Sequence, residues 1–353
     1  MANRKFKTFL VLFTWVMAVL ACNLPSPNST TPNSSVAVAT EAQIATESSI
    51  PPTDIPIQHT AIPVDLPANR SSHAGDYDSS KTAGNRTAAG GDRFTFGRFE
   101  RPFNANTMDV YFPQIDIVDT FVYQDDTWIF GKIVLNKLDA SNAQGSNYAM
   151  EIDLDRDGKG DWLIMASNPA SKDWSVNGVK VYQDSNKSVG DVSAMYSDKN
   201  AAGDGYDTTV FDQGTGKDPD AAWTRISPTD LNTIEIAVKR SVLGNTAKYL
   251  INMWAGTASL DPKLFDINDH FTHEQAGAAD KGLKLFYPIK QVAEIDNSCK
   301  MAVGFEPKGD EPGLCVVFIP VIPGAPPLPG QPKCSGSCPY GQVPYPSCQC
   351  IPG

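Results

Sequence analysis

Tyr148-Ala-Met-Glu-Ile-Asp-Leu-Asp-Arg-Asp-Gly-Lys-Gly-Asp-Trp-Leu-Ile-Met165 decides the fold. Two short apolar runs, 148–152 and 162–165, flank a loop carrying Asp153, Asp155, Asp157 and Asp161. Apolar runs this short read as strands, so the acidic stretch joins two strands and not two helices. The four aspartates fall at positions 1, 3, 5 and 9 of a calcium loop, with Gly158 at position 6. Carboxylates this close repel one another unless a cation lies between them, and hard oxygen donors suit Ca²⁺. The glycine lets the backbone turn so that the Lys159 carbonyl faces the metal. An EF-hand would need flanking helices and a bidentate Glu at position 12, where Ile164 stands. The expected metal ligands are therefore Asp153, Asp155, Asp157, Lys159 and Asp161, holding a structural Ca²⁺ between strands.

Working outward, Phe121-Val-Tyr and Trp128-Ile-Phe-Gly-Lys-Ile-Val-Leu are joined by the polar turn Gln124-Asp-Asp-Thr127, which reads as a hairpin. Val179-Lys-Val-Tyr, Thr233-Ile-Glu-Ile-Ala-Val and Tyr249-Leu-Ile-Asn-Met-Trp-Ala are further strand candidates. Many short strands with few helical periods predict a mainly β protein, an antiparallel, jelly-roll-like β-sandwich over residues 92–307. Trp128 and Trp254 lie inside apolar patterns and belong to the core. Trp162 and Trp174 have polar neighbours; core packing is the first reading for each, and the alternative is a flat apolar face on which a sugar ring can stack.

The N-terminal end suggests a location. Arg4, Lys5 and Lys7 precede the apolar run Thr8–Ala21, too short for a comfortable span and suited to a signal peptide over 1–21. Val19-Leu-Ala-Cys22 resembles the bacterial lipobox, which implies lipidation at Cys22. Residues 22–91 are rich in Ser, Thr, Pro, Asn and Ala, a composition that reads as a disordered tether. Loss of 1–21 moves the net charge from −11 to −14, which argues against nucleic acid as a partner. Cys299, Cys315, Cys334, Cys338, Cys348 and Cys350 crowd the C-terminal end; as an even set in an exported chain they read as disulfides, with fifteen possible pairings. Zinc is the weaker reading, because the Cys334/Cys338 and Cys348/Cys350 spacings depart from paired Cys-x₂-Cys. A proline-rich connector over 308–332 leads to a cysteine-rich tail at 333–353.

Weaker constellations complete the survey. Asp184, Asn186, Ser188 and Asp191 have a similar spacing with poorer ligands and no central Gly, and Asp204-Gly-Tyr-Asp207 is poorer again. His270 and His273 sit in Asp-His-Phe-Thr-His-Glu, whose order matches neither zinc-protease motif, so a structural role is expected. His59 and His73 fall in the expected tether. No nucleophile elbow, phosphate loop or catalytic Cys–His pattern appears, and no catalytic residue is assigned.

Tyr111-Phe-Pro-x-Ile-Asp116-Ile, Trp128-Ile-Phe-Gly-Lys-Ile, the 150–161 segment and Thr233-Ile-Glu-Ile-Ala-Val together resemble the DOMON-like and family-9-like carbohydrate-binding sandwiches. The acidic loop resembles the strand-to-strand calcium loops of extracellular modules. The whole chain resembles envelope lipoproteins of Chloroflexota-like bacteria, in which Ala-Cys-Asn-Leu-Pro opens the mature chain. These resemblances imply a ligand-binding sandwich with sugar or haem as ligand, and the axial Met and His that haem needs cannot be placed. The expectation is a lipid-anchored extracytoplasmic binding protein at the cell surface, joined to the membrane by its lipid and taking polysaccharide or cell-wall glycan. A hydrolase acting on extracellular polymers, or a structural or adhesive envelope protein, are the alternatives.

Overall fold

The computed structural model describes residues 57–138, 145–190, 198, 203–308, 311, 313–315, 342–344 and 350–352. The chain divides into two units, Met1–Ile55 and Pro56–Gly353, and every described residue belongs to the second. In chain order the strands are β1 (Ser72–Gly75), β2 (Glu100–Arg101), β3 (Ile117–Gln124), β4 (Trp128–Leu135), β5 (Asn147–Asp153), β6 (Trp162–Ser167), β7 (Val179–Gln183) and β8 (Thr208–Asp212). They continue as β9 (Thr215–Gly216), β10 (Ala222–Ile226), β11 (Thr233–Lys239), β12 (Tyr249–Gly256), β13 (Ile295–Asn297), β14 (Met301–Val303), β15 (Gln342–Pro344) and β16 (Cys350–Pro352). Described α-helix is confined to single turns at Ser80–Ala83, Ile267–His270 and His273–Ala276.

A five-stranded sheet in the order β1-β3-β4-β11-β10 faces a nine-stranded sheet in the order β2-β13-β12-β5-β6-β7-β8-β9, with β14 also paired to β12. Pairing within both sheets is antiparallel, so the expected mainly β, antiparallel sandwich is the fold. The strand period of two explains how one sequence serves two faces. Ile129, Ile133 and Leu135 of β4 point between the sheets, where they join Met150 and Ile152 of β5 and Ile251 and Met253 of β12. The alternate residues Trp128 and Phe130 point outward and form a second apolar cluster with Trp223 and Ala237. On the outer face of the larger sheet, Ala149, Leu163 and Trp254 pack under Phe94, Phe99 and Phe265. Trp128 and Trp254 are buried, as expected.

Two expected boundaries move. The composition predicts a tether over 22–91, yet the fold already engages residue 59: His59 Nδ1 lies 2.7 Å from Asp220 Oδ1, and Trp174 Nε1 donates to the Val64 carbonyl at 2.8 Å. His73 sits in β1 with Nε2 2.6 Å from Asp119 Oδ1. Neither histidine therefore lies in a tether. The sandwich is also expected to end at 307, but Lys300 N donates to Gly313 O and Cys315 N to Lys300 O, and a disulfide links Cys299 to Cys315. Residues 313–315 are part of the domain. Cys22, Cys334, Cys338 and Cys348 lie outside the described residues, as does the expected tether up to Pro56.

Candidate metal centre

β5 ends at Asp153 and β6 begins at Trp162, with Ile152 opposite Trp162, so the acidic loop closes a hairpin of the larger sheet. Its own carboxylates wind it. Asp153 accepts from Arg156 N at 2.5 Å and Gly158 N at 2.8 Å, and Asp161 Oδ2 accepts from Leu154 N at 2.7 Å. Arg156 (φ 67°) and Gly158 (φ 92°) take the left-handed turns this winding requires, the latter well suited to a residue without Cβ. The result brings one oxygen each of Asp153, Asp155 and Asp161 within 4.8 Å of one another. The Asp157 carboxylate is not one of this trio, and it accepts from Lys159 N at 2.9 Å.

Two ammonium groups neighbour the loop. Lys187, exposed on the loop after β7, places Nζ 2.8 Å from Asp155 Oδ2 and 3.7 Å from Asp161 Oδ1. Lys300 is buried and donates to the Gly158 carbonyl. Burial pushes Asp153 up to about 7 against the pull of Lys300, and raises Asp161 as well. The hydrogen bond from Lys187 instead lowers Asp155. Burial alone would lower Lys300, but the carboxylates of Glu151, Asp266, Asp153 and Asp157 more than reverse it. The donors are all hard oxygens, the kind Ca²⁺ selects. Lys187 is a flexible surface side chain that a divalent ion can displace into water.

The weaker second loop is built differently. Asp184 accepts from Ser188 N (3.2 Å) and Val189 N (3.0 Å), while Ser188 Oγ and Asn186 Nδ2 donate to Asp204 Oδ1 at 2.6 and 3.0 Å. Asp207 holds Ser185 through its amide and hydroxyl. These acids lace two turns together, and Asp191 lies outside the described residues. Between the two loops runs a cleft lined by Asp155, Asp161, Trp162, Gln183, Ser185 and Lys187. Trp162 is half-buried there and packs against the inter-sheet core.

Trp174 stands elsewhere, over the outer face of the smaller sheet. Arg225 Cζ lies 4.4 Å above its ring and Phe130 6.0 Å away, beneath the segment around Val64. The two candidate tryptophans thus do not share a platform. His273 is buried, with Nδ1 2.9 Å from Asp198 Oδ1, Nε2 3.0 Å from Thr95 Oγ1, and Phe94 edge-on to its ring. His270 Nε2 lies 3.4 Å from the Phe265 carbonyl. His273 joins the segments carrying Thr95 and Asp198 and His270 bonds within its own segment, and they form no metal-ligand group among the described residues.

Sequence reasoning missed a second carboxylate group, Glu100, Asp116 and Asp296, whose oxygens also lie within 4.8 Å of one another. It is drawn from three distant stretches, so no local spacing announces it. No protein-family model, curated protein or solved structure matches the chain. Among the described residues no helix is long and apolar enough to cross a membrane.

Proposed function

We propose that this chain is a lipid-anchored, extracytoplasmic binding protein whose sandwich is braced by Ca²⁺ at the 153–161 loop and which holds carbohydrate in the cleft beside it. One observation carries the reading: the Asp153, Asp155 and Asp161 oxygens converge next to the half-buried ring of Trp162, in a cleft rimmed by Gln183 and Ser185. Stacking on an aromatic face together with hydrogen bonds from short polar side chains is the chemistry that sugar rings require. The Ca²⁺ holds the loop in shape and Lys187 leaves when it binds. The lipid anchor rests on Val19-Leu-Ala-Cys22 alone.

Three measurements test it. A glycan array probed with the full chain at millimolar Ca²⁺ should retain at least one glycan, and Trp162→Ala should weaken that binding about tenfold, the loss of one aromatic contact. An array that retains nothing removes the carbohydrate reading. Ca²⁺ should raise the melting temperature, and Asp155→Ala should remove the share due to the loop; equal Ca²⁺ responses in variant and wild type would remove the brace. Cys22→Ser should move the expressed protein from the membrane fraction to the soluble one, and an unchanged distribution would remove the anchor.

A further inference from the structure

The edges of the two sheets meet at a second group of acids, buried where the 153–161 loop is open. Asp76 directly follows β1 and Asp116 directly precedes β3, two paired strands of the smaller sheet. Glu100 in β2 and Asp296 in β13 lie opposite each other at the edge of the larger sheet. Asp296 Oδ2 reaches across to accept from Ile117 N at 2.7 Å, so the group bridges the sheets. Glu100, Asp116 and Asp296 are at most 1% exposed, and the Asp76 side chain is 2% exposed.

Four buried carboxylates need compensation, and the side chains near them supply little. Arg98 Nη2 is 3.9 Å from Asp76 Oδ1. Arg101 follows Glu100 in the chain but is fully committed on the other side of β2: Nε and Nη2 bond Asp92, and the remaining donors go to the carbonyls of Ala276, Gly277 and Val292. Neutral donors are few. Ser79 Oγ donates to Glu100 Oε1 at 2.5 Å, Tyr77 N to Asp76 Oδ1 at 2.9 Å, Ser79 N to Asp116 Oδ1 at 3.4 Å, and the Tyr111 hydroxyl to Asp116 Oδ2. Two oxygens, Asp296 Oδ1 and Asp76 Oδ2, are buried with no hydrogen-bond partner. An unpaired buried acceptor is destabilising, and more so when charged. Burial raises the pKa of all four acids, and repulsion between them adds to the rise. A cation among them would offset burial and repulsion by favouring the charged carboxylates, and would use the orphaned Asp296 oxygen.

We propose that Glu100, Asp116 and Asp296, with Asp76 beside them, form a buried site for one hard divalent cation, Ca²⁺, that staples the edges of the two sheets. The choice of ion follows from the cage. Ca²⁺ accepts six to eight oxygens in irregular geometry, whereas Mg²⁺ holds several waters in an octahedron, which a closed all-protein cage does not favour. This site does not depend on the 153–161 loop, and each can fail without the other.

Metal content of the full chain, measured by mass spectrometry after dialysis into Ca²⁺-free buffer, decides the matter. A variant stripped of loop ligands, Asp155→Ala with Asp161→Asn, should retain one Ca²⁺ per chain, because the buried ion exchanges slowly. Asp296→Asn, nearly identical in shape, should hold one Ca²⁺ fewer than wild type under saturating Ca²⁺. A loop-stripped chain free of metal, even after refolding in millimolar Ca²⁺, would overturn the proposal and leave the acids sharing protons. So would an Asp296→Asn chain with wild-type metal content. If Asp296→Asn does not fold, the loop-stripped result decides by itself. Refolding with Mg²⁺ in place of Ca²⁺ should leave that variant metal-free; stoichiometric Mg²⁺ would overturn the assignment of the ion.

Discussion

The two oxygens of Asp220 hold a segment that has almost no side-chain pattern of its own. They receive His59 Nδ1 at 2.7 Å, the amides of Thr60 and Ala61 at 2.9 Å each, and the Thr60 hydroxyl at 3.1 Å. Burial works against the charge, but these hydrogen bonds win and hold the carboxyl at about 2, below the ordinary 3.8. A depressed folded value means stability that is fully present above about pH 4 and lost as pH falls through about 2. Asp220→Ala should therefore cost about 2–3 kcal/mol at neutral pH, the scale of a lost charge-assisted group of bonds. It should also free Trp174, whose indole donates to Val64 in the same segment, so its fluorescence should shift to the red. A urea midpoint and emission maximum equal to wild type would contradict the anchoring role. Gly131 is the second residue with a steric duty. A Cβ there would lie 2.3 Å from Met150 Sδ and 2.8 Å from Met253 Cε, across the inter-sheet core. Methionines yield readily, so Gly131→Ala should lower stability by about 1–3 kcal/mol without abolishing folding, read as a lower urea midpoint.

At the scale of elements, what could be read in the sequence depended on whether an element carries its own signal. β4, β5, β6, β11 and β12 are apolar runs bounded by turn residues, and each is where its run places it. The loop trio was legible for the same reason, since Asp153, Asp155 and Asp161 are neighbours in the chain. β1 (Ser-His-Ala-Gly) and β2 (Glu-Arg) have no strand signature, because pairing with β3 and β13 makes them strands. The Glu100–Asp116–Asp296 group was hidden likewise, as only the closed sandwich brings its members together. The segment from residue 57 has a tether's composition yet is docked through backbone amides that composition does not register. Cysteine counting left fifteen pairings open, and the fold selects Cys299–Cys315. That bridge closes a short loop and fixes the strip that carries Lys300, the ammonium bonded to the Gly158 carbonyl. A loop of this length is worth about 3 kcal/mol in the chain-entropy account. Cys315→Ser should lose about that much and, by loosening Lys300, alter the Ca²⁺ affinity of the 153–161 loop. A Ca²⁺ titration that matches wild type would separate the bridge from the loop.

For the whole molecule the governing quantity is charge. The chain carries a net −11, and its acids occupy two kinds of place: exposed turns such as Asp204 and Asp207, and dry clusters such as Asp116 and Asp296. Salt and calcium act on these differently. Added NaCl shortens the screening length from about 10 Å at 0.1 M to about 3 Å at 1 M, which quiets repulsion between exposed groups but barely reaches buried ones. A bound divalent ion does the reverse, since it stabilises only where oxygens surround it. At a hundredfold excess over its dissociation constant, an ion that binds only the folded state adds about 2.7 kcal/mol. For a domain of this size that is a rise of about 5–10 °C in melting temperature. Protein treated with EDTA and then freed of it should therefore melt about 5–10 °C lower than the Ca²⁺-loaded form for each ion removed. Millimolar Ca²⁺ should restore the difference in 0.1 M NaCl, whereas raising NaCl alone to 0.5 M should recover only a small part of it. If NaCl recovers the whole difference, the stabilisation comes from screening across an acidic surface, and neither cluster of carboxylates is holding an ion.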